Sequence, residues 1–487
     1  MRARCMAIAL SALATGLLFA PAAGAAPAKP AWQLDVTAMP TSFAPGAVGT
    51  TGGGPAYLVL LTNVGAAPSS GAVTIADTLP TGLKPTETVG PCPAPVGQTV
   101  TCTIPGAIAP GESIEARIVV EVQPLAPPSV TNQVTAEGGG ADQAESQTLT
   151  NAVSATPPPF GILPGFEMPL SEADGGPATL AGSHPYQLTT RVGFPTEKGI
   201  EALGGAGHLR DIGFELPPGL VVNPAATPVL CTEAELSSDP TPGCPSDSQV
   251  GVVDLITTSG GPIAYASPLY NMVPPPGTAA ELGFDALGVG VFVHLDGSVR
   301  SDGDYGITGT SRDALALTLH PVFGAQAQLW GEPWGASHDS QRLPIVGAPE
   351  TAAITMPVHC SGEPTSFLAK ADSWEKPGVF EQASYESASL ADEPAVLEGC
   401  DELDFEPTIE AKPTTNLTDS PSGLDFRLHH EQPTDIQTRA PAIPREIGLT
   451  LPPGLVVNPA AGVGQEACDS AQIGLSTPIG ASPIHFS

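Results

Sequence analysis

Three stretches of this 487-residue chain hold residue types that can do chemistry. In "SHDSQR" (337–342), His338, Asp339 and Ser340 stand side by side. These are the members of a nucleophilic triad, but a triad is assembled in space from separate elements, and sequence neighbours point apart. The stretch reads as a loop, and no catalytic residue is assigned. "SDGDYG" (301–306) has part of a calcium-loop pattern but lacks the full ligand series and the closing Glu. Its Asp-Gly pair reads as a hairpin turn. "HHEQP" (429–433) has no second His four residues on, so it is not a zinc-binding helix. No Gly-rich loop follows a strand and opens a helix. No metal and no cofactor is expected. Trp330 and Trp334, in "LWGEPW", are near enough to form a stacking platform for a sugar ring, although paired aromatics more often pack a core.

Cysteines place the chain in a compartment. Of eight, Cys5 precedes an apolar run and seven follow it. Arg2 and Arg4, then "AIALSALATGLLFA", then "AGA" at 23–25 or "APA" at 26–28, form a charged start, an apolar core and a small-residue cleavage site. Residues 1–28 are thus expected to be an export signal, and the mature protein to be extracellular, secreted or held at the cell surface. There disulfides persist. Chain order and domain limits pair Cys92–Cys102, Cys231–Cys244 and Cys360–Cys400, which leaves Cys468 odd. "LPTG" at 79–82 lacks the extra residue of a sortase signal and reads as a turn. No later run is apolar for long enough to span a bilayer.

Charge excludes further classes. Fifty acidic residues stand against 17 basic ones, a net of −33. Phosphate backbones and anionic lipid surfaces would be repelled. The 55 Gly and 56 Pro punctuate short apolar runs, the pattern of many short strands joined by turns.

Those strands are the elements that must position any site. Runs at 56–63, 72–78, 98–104, 112–122 and 130–137 are strand-like, several with period-two alternation, and turn signals separate them. In "DTLPTGL", Pro80 presets a turn, Gly82 can take positive φ, and Leu79 and Leu83 can both point inward. Residues 31–153 therefore read as a β-sandwich. The run "LTNVGAAPSSGAVTIADTLPTGL", then "VTCTIPGAIAPGES", then "VTNQVTAEGGGAD" resembles the domain-of-unknown-function 11 repeat over about 56–142. That resemblance implies an immunoglobulin-like sandwich, a structural or adhesive module, and no catalytic residues.

Beyond a Pro-rich stretch at 156–165, read as a linker, the chain repeats itself. "RDIGFELPPGLVVNPAA" (210–226) matches "REIGLTLPPGLVVNPAA" (445–461), and the last eleven residues are identical letter for letter. Each copy predicts a strand with one buried face, Ile212, Phe214 and Leu216 in one and Ile447, Leu449 and Leu451 in the other. Pro-Pro then ends the ladder. Thr232 with Glu235, and Asp469 with Gln472, have capping-box spacing, so a short helix is expected after Cys231 and after Cys468. Leu236 and Ile473 would face the core from it. "GSHPYQLTT", "LWGEPWGASHDSQR", "ADSWEKPG" and "GCDELDFEP" resemble segments of large secreted proteins of soil actinobacteria. That likeness covers most of 157–487 and implies a modular β-rich exoprotein without a known activity.

The expected fold is all-β: tandem β-sandwich, immunoglobulin-like modules with short turns of helix only. After the signal come a module at 31–153, a repeat unit at 157–400 and a second, truncated unit at 403–487. That second unit is expected to be less well packed than the first, with a poorly ordered tail after about 474. The expected function is a non-enzymatic structural or adhesive protein of the bacterial surface or matrix, with cell-envelope glycans or other surface proteins as partners. A carbohydrate-binding module using Trp330 and Trp334 is the alternative, and a secreted hydrolase ranks last.

Overall fold

Alternation of period two runs through the first module and decides its architecture. The computed structural model describes residues 27–464, apart from 198–206, 239–242, 259–261, 287, 289, 302, 315–321, 344–349, 389–392, 432, 434–435, 457, 459 and 461–462. Eight strands come first: β1 (Trp32–Met39), β2 (Ala56–Asn63), β3 (Val73–Thr78), β4 (Leu83–Val89), β5 (Thr99–Ile104), β6 (Ser113–Val122), β7 (Ser129–Gly138) and β8 (Glu145–Ala152). They form two four-stranded sheets, β1-β2-β6-β4 and β5-β3-β7-β8, with antiparallel pairing throughout. In β7, Val130, Asn132, Val134 and Ala136 are buried while Thr131 and Gln133 are exposed. The inward faces meet in a core that includes Leu34, Val36, Tyr57, Ile75, Ile118 and Val134. Two sheets packed face to face make a sandwich. Leu79 and Leu83 are both buried in this core, and Gly82 between them has φ +101°. A Cβ there would meet Pro127 at 2.8 Å, so the turn needs glycine on both counts.

β2 is buried at all eight positions, more than one sandwich face explains. Its outer face lies against the second module: Met39 and Leu58 pack with Ile256 and Phe323. A strand covered on both sides needs a continuous apolar run, and "AYLVLLT" supplies one.

The second module contains β9 (Leu170–Ser171), β10 (Gln187–Gly193), β11 (Leu209–Glu215), β12 (Val221–Val222), α1 (Glu233–Leu236), β13 (Gln249–Thr258), β14 (Pro262–Met272), β15 (Ala280–Ala286), β16 (Val291–Val299), β17 (Ile307–Ser311), β18 (Val322–Trp330), β19 (Ile354–Thr355), β20 (Ser366–Ser373) and β21 (Lys376–Glu386). Eleven of the strands form one sheet in the order β21-β20-β11-β17-β16-β15-β14-β13-β18-β10-β9. β12 and β19 pair separately. A sheet this wide curls. Leu188 and Val192 of β10, near one edge, share a core with Ile212 of β11 and with Phe367 and Ala369 of β20, near the other. The stretch 156–165 is pinned to this module, contrary to the linker expected there. Phe160 and Ile162 pack on the same core, and the Leu163 N–H donates to the Gly193 carbonyl.

The helix expected after Cys231 is α1, a single turn. The Thr232 hydroxyl accepts from the Glu235 N–H, and the Glu235 carboxylate accepts from the Thr232 N–H. Leu236 packs with Cys231, Tyr270 and Met272 on the outer side of the sheet. The matching helix after Cys468, and the tail after 474, lie outside the described residues. No helix of the described residues is long and apolar enough to cross a membrane.

The described residues of 403–464 hold one hairpin, β22 (Thr408–Pro413) with β23 (Leu424–His429). The strand expected at 447–451 is absent: Ile447 is 59% exposed and Leu449 54%. The cause is context. β11 is held between β17 and β20, and among the described residues 445–456 has no flanking strands.

Candidate apolar binding cleft

Strand alternation sorts the side chains of the large sheet onto two faces with different work. On β18, Gln326 and Gln328 turn toward the sandwich, where Gln326 donates to Thr62 at 2.8 Å and Gln328 to the Gly111 carbonyl at 3.4 Å. Ala325, Ala327 and Leu329 turn the other way. On β13, Asp254 accepts from Ser113 at 2.9 Å while Val253 and Leu255 face the opposite side. On β10, Arg191 reaches Asp35 at 2.5 Å and Glu167 at 3.7 Å, while Leu188 and Val192 face away. The sandwich-facing side is therefore a buried polar interface. Burial alone would lower Arg191, but Asp35 and Glu167 outweigh it and hold its pKa raised. Burial pushes the Asp254 carboxyl up to about 6, against the opposing hydrogen bond from Ser113.

The other face lines a cleft of about 640 Å³. β10, β11, β13, β15, β16, β17 and β18 all contribute, which the curl of the sheet makes possible. Leu282, Val291, Val293, Leu295 and Phe214 line it and are only half-buried. Apolar side chains that water still reaches, gathered in one recess, mark a binding surface. Its titratable lining side chains among the described residues are His208, Glu281 and Tyr305. His208 is held by Glu375 at 2.5 Å, and Glu281 by His294 at 2.9 Å. Burial raises Glu281, and the neighbouring His294 opposes that rise. The cleft thus offers apolar contact with its charges already answered.

The residues singled out from sequence have other duties. Trp330 is 0% exposed and stacks on His338 at 4.2 Å, with the Arg342 guanidinium 5.4 Å from its ring. Trp330 therefore cannot be half of a sugar platform, because β18 turns it into the packed side of the sheet. Trp334 is half-buried and donates its indole N–H to the Thr351 carbonyl. His338 is buried, and burial followed by Arg342 holds its pKa well below the ordinary value, so it stays neutral. Ser340 donates to the Pro110 carbonyl of the sandwich, and Asp339 lies 3.5 Å from Arg342. These three neighbours form no catalytic constellation. Asp304 is held by Arg300 at 2.8 Å and accepts from the Gly306 N–H, as a turn residue does. His429 lies in β23, and the His430 ring is 6.1 Å from Phe405.

The three disulfides are present, with Cα separations of 4.1 Å for Cys92–Cys102, 5.2 Å for Cys231–Cys244 and 5.9 Å for Cys360–Cys400. Cys468 lies outside the described residues. Sequence reasoning missed the cleft, although "VFVHL" in β16 carried a signal, alternating Val291, Val293 and Leu295 with Phe292 and His294. It also missed Asp77 and Asn132, both wholly buried between the sheets of the sandwich. Burial pushes the Asp77 carboxyl up to about 7, and the neighbouring Asn132 amide opposes the shift.

No family model matches the chain, the domain-of-unknown-function 11 repeat included. No curated protein matches it either. Among solved structures, the collagen binding subdomain of the Enterococcus faecalis surface protein ACE is similar at 10% identity and a TM-score of 0.17, over 25% of this chain and 95% of that one. The collagen adhesin of S. aureus is similar at 8% identity and a TM-score of 0.18, over 72% and 92%. A serine-rich repeat protein of Streptococcus agalactiae is similar at 8% identity and a TM-score of 0.16, over 73% and 92%. At these scores the likenesses carry no weight for fold or ligand, and the all-β architecture rests on the strands themselves.

Proposed function

We propose that the protein is an exported, non-enzymatic binding protein with an adhesive or structural role at the cell surface or in the matrix. The observation that supports this is the pairing of a braced, disulfide-bonded two-module body with a deep recess that offers apolar contact rather than reacting groups. Residues 1–28 are proposed to be the export signal. Other surface proteins or envelope glycans are the proposed partners, and the half-buried Trp334 is the one member of the tryptophan pair that a glycan could reach. The test is labelling of intact cells with a membrane-impermeant reagent, together with a hydrolase panel on the purified chain. Surface or medium location without turnover is expected. Turnover lost in Ser340→Ala, or a protein confined to the cytoplasm, would overturn the reading.

A further inference from the structure

We propose that the cleft in the eleven-stranded sheet is a binding site for one linear aliphatic chain carrying an uncharged head group. This deepens the binding reading above by naming its ligand class.

Size is the first argument. The recess holds about 640 Å³, inside the range of small-molecule sites. A methylene takes about the space of a water molecule, roughly 30 Å³, so the cleft has room for on the order of 20 carbons. The second argument is the lining. β16 contributes Val291, Val293 and Leu295 to the lining, and β18 contributes Ala325 and Ala327. Branched aliphatic side chains together with small residues leave a space that a flexible chain can fill without polar partners. That these walls are half-exposed in the free protein means water is there to be displaced, and its release drives binding.

Charge sets the head group. No Lys or Arg lines the cleft among the described residues. The carboxylate of Glu281 is matched to His294, and His208 to Glu375, so neither imidazole is free for an anionic head. The whole chain carries −33, which repels anions from any approach. A hydroxyl or ester head meets none of these penalties.

The experiment uses the purified mature chain and a fluorescent polyene alcohol as probe. 1-Alkanols and alkanoates from about eight to about eighteen carbons, spanning the approach to the ~20-carbon capacity, compete for it at pH 8. Affinity for the alkanols is expected to rise up to about fourfold per added methylene. The alkanoate of each length is expected to bind several-fold more weakly. Ala327→Trp should weaken the longest alkanols most, because it fills the recess from β18. Val293→Trp does the same from β16 and serves if the first variant fails to fold, while Val96→Ser, at an exposed position outside the cleft, should change nothing. No saturable alkanol binding at any length would overturn the proposal. So would unchanged binding in a Trp variant that melts like the parent, or alkanoates that bind better than alkanols. A cytoplasmic protein that binds alkanols would defeat only the surface reading, and a surface protein that does not would defeat only this one.

Discussion

Asp77 lies on β3 with no exposed surface, beside the buried amide of Asn132. Its carboxyl ordinarily titrates near 3.8 and here is pushed to about 7, because burial disfavours the charged form. The folded state thus holds a proton that the unfolded chain releases earlier. That stabilisation is full below the ordinary value, drains as pH rises, and is gone above about 7. Asp77→Asn removes the ionisation while keeping the shape. Urea unfolding should show a flatter pH profile and, at pH 8, a gain on the order of a few kcal/mol, at about 1.4 kcal/mol per shifted unit. A variant with the parent's pH profile would show that Asp77 is not the titrating group. Trp330 gives a second residue-level expectation. Its burial against His338 makes Trp330→Ala a core deletion, costing about 3–5 kcal/mol in urea melts. Sequence could place two tryptophans close together. It could not say which face of β18 Trp330 would take, since that depends on a sandwich docked from elsewhere in the chain.

At the scale of elements, much of the first module was legible. The strands expected at 56–63 and 112–122 are β2 and β6 with a boundary shift of at most one residue. β1, β4 and β8 escaped notice, the last two for a physical reason. "LKPTETV" contains a proline, and "ESQTLTNA" is polar on a strand that is mostly exposed, so neither shows an apolar stripe. The cap of α1 was legible because its hydrogen bonds are local, within four residues. The cleft was not, because it is made by the curl of the whole sheet. The Cys360–Cys400 disulfide joins elements that sequence keeps 40 residues apart. Loop-closure arithmetic assigns it about 4 kcal/mol. The double variant Cys360→Ala, Cys400→Ala should lose stability of that order in denaturant melts, with α1 and the Cys231–Cys244 loop still protected in hydrogen exchange. Loss of protection there as well would mean that the disulfide holds the whole module and not its own loop.

Across the whole molecule, the two modules share a buried contact that is polar at Arg191, Asp254 and Gln326 and apolar at Met39 and Leu58. Arg191 and Asp35 are each 7% exposed at the side chain, and removing Arg191 leaves the Asp35 carboxylate buried without its cation. Such a deletion costs about 3–5 kcal/mol. Arg191→Ala should therefore convert one calorimetric transition into two, the sandwich and the large sheet melting apart. Raising the pH through about 6 should weaken the same interface, since burial favours the protonated form of Asp254, with its carboxyl at about 6, against the hydrogen bond that Ser113 donates to it. A single transition in Arg191→Ala would mean that the apolar contact of Met39 and Leu58 with Ile256 and Phe323 suffices to couple the modules.

The place of β11 in the large sheet has a consequence for how the chain is made. Phe214 pairs with Gly309 on one side and with Ala369 on the other. Both partners are synthesised long after β11, and the later one only once β20 has emerged. Until then β11 must wait with open edges, an exposure that slows folding and invites pairing with other chains. A protein built this way gains from being threaded across a membrane before it folds. The order of the strands in the sheet is, in that sense, a schedule: β11 cannot be paired along both edges until residue 373 has arrived.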